Sequence, residues 1–100
     1  MIRMTEEPHA MEPEEGKHRV YEFSNGWMLS AIKTSFSYGG EIGLWEICLL
    51  DDKRNEVTTD VFHNVVDEYV GFVNDQELEG FVQRADSYCN EHMKRAVVTS

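Results

Sequence analysis

The chain has 100 residues, 9 basic against 19 acidic, and a formal charge of −10 at pH 7. That length holds one hydrophobic core and excludes two. The charge argues against nucleic acid or an anionic membrane as a direct partner, and for a basic protein surface.

The 41% hydrophobic and 11% aromatic content is that of a folding domain, not of an acidic disordered tail. No apolar run reaches the length of a membrane-spanning helix, and MIRMTEEPHAMEPEEGKH lacks a signal-peptide core, so the expectation is a cytoplasmic chain. Cys48 and Cys89 are too few for a disulfide framework and sit in apolar patterns. Free buried thiols are expected, with a single strand-to-helix bridge as the alternative.

In chain order, residues 1–17 carry Glu6, Glu7, Glu12, Glu14 and Glu15 against Arg3 and Lys17, with Pro8 and Pro13. No apolar period runs through them, and the segment reads as a flexible acidic tail. The folded part is then a single α+β domain over residues 18–96. Its first strand is expected from His18 to Phe23 and its return strand from Trp27 to Phe36, joined by Asn25-Gly26. Asn-Gly favours a two-residue type I′ turn, which would place Phe23 opposite Met28 and Tyr21 opposite Ser30. Gly39-Gly40 suits a second reversal.

Ile42 to Leu50 is the most apolar run, with both faces apolar except at Glu46. Such a strand is usually covered twice. The C-terminal helix supplies one cover; the tail, a loop or a second copy supplies the other, which makes a homodimer one expectation. Glu46 is expected to pair with Arg19 or Lys33. Val57 to Phe62 reads as a fourth short strand, and His63 to Val73 as one or two helical turns or an irregular loop tying Val65, Val66, Tyr69 and Val70 to the core.

The terminal helix carries the clearest signals. Asn74 is an N-cap, Glu77 completes a capping box, and Val73 can staple onto Leu78. Leu78, Phe81, Val82, Ala85, Cys89 and Met93 then form a 3.6-residue stripe, with Tyr88 and Ala96 at its margins. Asp75, Glu77 and Glu79 near the start, and Lys94 and Arg95 near the end, suit the helix dipole. The fold class is therefore α+β: a three- or four-stranded antiparallel sheet with a C-terminal helix packed on one face.

Reactive motifs are absent from this sequence: no P-loop, G-x-G-x-x-G, nucleophile elbow, H-E-x-x-H or EF-hand loop occurs. His9, His18, His63, His92 and the two cysteines show no zinc spacing, so no metal and no cofactor are expected. Asp51-Asp52 reads as a solvated turn. Asp67-Glu68 lies among aromatic and apolar residues, which points to a loop bond or a partner contact. An enzyme would need His63, Asp67 and Glu68 gathered in one cleft. Trp45 reads as core, whereas Tyr38 and Trp27 are protein-binding candidates of the hot-spot type. Asp75, Glu79, Asp86 and Glu91, on or near the polar helix face, are the acidic candidates, including for a surface that imitates nucleic acid.

The segments FSNG (23–26), SYGGEIGLWEICLLD (37–51) and DEYVGFVNDQELEGF (67–81) resemble a group of small, uncharacterised bacteriophage and prophage proteins. Those share an aromatic-x-NG hairpin, a YGG-x-x-GL-(W/Y)-E strand and a glycine–aromatic segment leading into a capped helix. The resemblance spans residues 18–92; the N-terminal segment and the EVTTDVFHNVV connection depart from it. It implies a small phage gene product made in a bacterial cytoplasm and carries over no catalytic residue. The function expected is a non-enzymatic, acidic protein-binding domain that modulates a host protein, the alternative being a phage assembly or structural component.

Overall fold

The computed structural model describes residues 2–99, with side chains described through Glu91. Five strands form one antiparallel meander in chain order: β1 Arg3–His9, β2 Glu12–Glu22, β3 Met28–Lys33, β4 Trp45–Leu50 and β5 Val70–Val73. A short helix, α1 Thr58–Val61, lies between β4 and β5, and the long helix α2 spans Asp75–Thr99. The α+β class holds, with a sheet wider than the three or four strands expected.

The capping box forms as the sequence dictates. Glu77 N–H donates to Asn74 Oδ1 at 2.7 Å, and Asn74 N–H donates to Glu77 Oε1 at 3.0 Å. Two orphan donors at the helix start are thereby satisfied. Val73 and Leu78 are both buried, as a staple requires. The α2 stripe of Leu78, Val82, Ala85 and Cys89 packs on Tyr21, Phe23, Leu29, Ala31, Trp45, Ile47 and Leu49, all on one sheet face. Val61 and Phe62 complete that core, and Phe62 meets Phe81 edge-on at 4.8 Å. Met93, Lys94, Arg95 and Ala96 lie outside the described side chains. Cys48 and Cys89 are buried and free. Burial pushes the Cys89 thiol up to about 11.

The first hairpin differs from expectation by one residue. Tyr21 pairs with Leu29 and Glu22 with Met28. Gly26 N–H donates to Phe23 O, Phe23 N–H donates to Trp27 O, and Gly26 has φ 89°. The loop is a three-residue type with Gly26 in the left-handed region, not the two-residue I′ turn. A one-residue shift exchanges the faces of a strand. Leu29 and Ala31 therefore join Tyr21 and Phe23 inside, while Met28 and Ile32 move to the second face.

The stretch expected as a tail is strand over residues 3–9 and 12–17. Arg3–His9 pairs along β2 in a ribbon whose strand residues are mostly exposed. The expected strand from His18 is the second half of β2; β1 and the first half of β2 hid from the sequence because they bury almost nothing, so no apolar alternation marks them. Cross-strand groups hold the ribbon instead: Arg19 Nε donates to Glu6 Oε1 at 2.6 Å, and Glu12 accepts from Ser35 N–H and Oγ–H. Pro8 is tolerated because β1 is an edge strand.

Val57 to Phe62 is not a strand either. Val57 N–H donates to Leu49 O, and Glu56 bridges to Leu50, but the chain then turns into α1. This segment lines the far half of β4, and β5 lines the near half. The strand β5 was masked in the sequence by a bulge: Gly71 and Phe72 fall between the two β4 partners Trp45 and Ile47. On the second sheet face Val20, Met28, Ile32 and Leu50 are half-buried. No helix among the described residues is long and apolar enough to cross a membrane.

Candidate functional site

The site is built from two connections that meet beside the start of β4. The first follows β3. Thr34 and Ser37, both buried, lock a turn reciprocally: Thr34 N–H donates to Ser37 Oγ at 2.9 Å, and Ser37 N–H donates to Thr34 Oγ1 at 3.0 Å. A single 3₁₀ turn over Gly40–Ile42 follows, bounded by Gly39 and Gly43 at φ 89° and 80°. A Cβ on Gly40 would lie 1.8 Å from Thr34 O, so only glycine fits that turn.

The second connection is the bulge of β5. Phe72 N–H donates to Tyr38 O at 3.1 Å, and Tyr38 N–H donates to Glu46 Oε1 at 3.0 Å. Both backbone groups of Tyr38 are thus held, one by each neighbouring strand. Glu46, expected to meet Arg19 or Lys33, instead bonds the Tyr38 amide. The two loops press together through their glycines. A Cβ on Gly71 would stand 2.3 Å from Tyr38 Cβ, and one on Gly39 would stand 2.9 Å from Phe72 Cα.

This clamp displays side chains. Tyr38 is 65% exposed, Phe72 60% and Tyr69 54%. Phe72 also sits at φ 57°. The left-handed region costs an L-residue roughly 1–2 kcal/mol, and a bulky residue there is an outlier. The bulge and the Phe72 N–H bond to Tyr38 O hold that conformation, while the side chain itself is largely exposed rather than packed in the core. With Val66, Asp67, Glu68 and Gly71 these rings line an open groove of about 700 Å³. Ile42, 71% exposed, and Glu41 extend the surface beyond Tyr38 and Phe72. His63 is not among the residues lining the groove.

Of the residues singled out from the sequence, Tyr38, Asp67 and Glu68 line this groove, while Trp27 and the acids of α2 are elsewhere. Trp27 stands at the opposite end of β3, a strand of six residues and therefore roughly 20 Å away. It is half-buried with its ring 5.6 Å from that of Tyr88, packed on the core. Asp75 Oδ1 accepts the Trp45 indole N–H at 2.8 Å. That bond, with Lys33, Arg19 and Lys17 nearby, holds the Asp75 carboxyl below the ordinary aspartate value. Glu79 accepts from Gln83, and Asp86 Oδ2 from Asn90, as neighbours on α2. Glu91 is exposed on α2.

Asp51 organises its turn by accepting from Lys53 N–H and Asn55 N–H, which fits a structural role. No group of three or more potential metal-ligating side chains occurs among the described residues. Val66 and Tyr69, expected to tie their loop to the core, are 90% and 54% exposed instead, and Phe72 was not singled out from the sequence. The available signal was glycine between Val70 and Phe72 just after Asp67-Glu68, in a stretch rich in apolar residues that shows neither period.

No protein-family model, curated protein or solved structure matches the chain.

Proposed function

We propose that this chain is a small, acidic, non-enzymatic protein-binding domain and that the aromatic groove is its docking surface. The observation that carries the reading is the pair Tyr38 and Phe72. The backbone fixes both, one of them at an energetic cost, and both rings face solvent. Rigid, exposed aromatic side chains lose little entropy on binding and make effective anchors. The net charge of −10 favours a basic partner. The resemblance to bacteriophage proteins supports a setting in a bacterial cytoplasm and a host protein as the target.

The test is capture by the immobilised full chain from nuclease-treated bacterial lysate, read by mass spectrometry. One stoichiometric basic partner is expected, retained by Glu79→Gln and lost by the double variant Tyr38→Ala/Phe72→Ala. Its binding weakens as salt rises, as screening requires. A partner held equally by the double variant would remove the groove from the proposal. Recovery of the chain alone, as a defined oligomer, would move the assignment to self-assembly through the half-buried second sheet face.

A further inference from the structure

Taking the groove as a docking surface, we infer that its occupant is an arginine side chain on an extended segment of the partner, stacked on the rings and paired with Asp67 and Glu68. Three aromatic rings, from Tyr38, Tyr69 and Phe72, line the groove together with two carboxylates, and no basic side chain is among the lining residues. Glu41 adds a third acid on the adjoining surface. An aromatic face attracts a cation through its quadrupole, and a carboxylate at its rim adds a charge-assisted bond. Guanidinium answers both at once, because it is planar, weakly hydrated and able to bond a carboxylate in a fork.

The molecule makes the cation-on-ring half of this contact within itself through Arg19, Lys33 and Arg84. Arg19 and Lys33 lie 4.6 and 4.3 Å from the Trp45 ring centroid, and Arg84 lies 5.6 Å from that of Phe81. The groove has the rings and the acids but takes no cation from its own lining. Val66, 90% exposed at its wall, offers an apolar contact to the residue beside the arginine. A volume of about 700 Å³ suits several side chains rather than a lone ion.

The probe is a short peptide alternating arginine and leucine, titrated into the isotope-labelled full chain and followed by NMR. Its twin carries citrulline, which keeps the shape and removes the charge. Saturable shifts are expected at Tyr38, Tyr69 and Phe72, with binding about 10-fold tighter for the arginine peptide, the size of one favourable cation–π and carboxylate contact. Asp67→Asn/Glu68→Gln, a surface change remote from the core, is expected to remove most of that preference. Equal affinity of the two peptides at the groove would overturn the arginine inference and leave the docking reading standing. Shifts spread over the acids of α2, or no shift with either peptide, would overturn the inference too, while the capture experiment decides the docking reading separately.

Discussion

Trp45 and the groove are two solutions to the same problem, the placing of an aromatic surface among charges. Trp45 is 1% exposed, its indole N–H is bonded to Asp75, and Arg19 and Lys33 cover its ring. Every capacity of that ring is used within the chain. A strand away, Tyr38, Tyr69 and Phe72 are more than half exposed and have acids beside them in the groove. The difference is instructive because Glu46, the residue after Trp45, holds the Tyr38 amide. One strand thus directs one side chain into a closed interior site and the next toward a surface left open. Burial and satisfied polar groups mark a residue that stabilises the fold; costly exposure marks one that serves something outside it.

Breaking the closed site has the largest effect. Trp45→Ala is expected to destabilise the protein by about 3–5 kcal/mol in denaturant titrations, through the cavity it leaves. Gly71→Ala forces a methyl against Tyr38 and is expected to cost about 1–3 kcal/mol, with the Tyr38 resonances displaced. Phe72→Gly sharpens the contrast because its effect has the opposite sign. It relieves the left-handed backbone and is expected to raise stability by about 1 kcal/mol while abolishing partner capture. Lys33→Met removes one of the two cations over Trp45 and is expected to cost only about 0.5–1 kcal/mol.

The smallest effect is on titration. Asp75 has a lowered folded value, so its contribution is present above the unfolded value and is lost as pH falls through the folded one. Carbon-detected NMR is expected to place its midpoint below that of an ordinary aspartate, and Trp45→Phe is expected to return it toward normal.

Some of this architecture was legible and some was not, for physical reasons. The α2 helix was legible because a capping box and a 3.6-residue stripe are local signals that packing then reinforces. The β3–β4 core was legible from its apolar content, but the register of β3 on β2 was not. Asn25-Gly26 is compatible with both a two-residue and a three-residue loop, and only the packing of Leu29 and Ala31 under α2 selects the latter. Strand β1 and the first half of β2 gave no apolar pattern because they bury so little, whereas His18–Glu22, which carries Tyr21 into the core, was legible. In β5, Gly71 and the left-handed Phe72 interrupt the alternation that announces a strand. Tyr38 was found at the site because glycines flagged its loop. Phe72 was missed because its exposure depends on a bulge formed against a strand more than twenty residues earlier, and Tyr69 because its apolar neighbours made it read as core.

The interlock of Gly71 with Tyr38 also constrains inheritance. A descendant of this chain that acquires any side chain at 71 collides with the tyrosine Cβ unless position 38 or the loop carrying it changes as well. The two positions lie 33 residues apart in the chain and are free to mutate separately. Among related sequences they are therefore expected to vary as a pair or to stay fixed as a pair, a correlation that contact in space alone would produce.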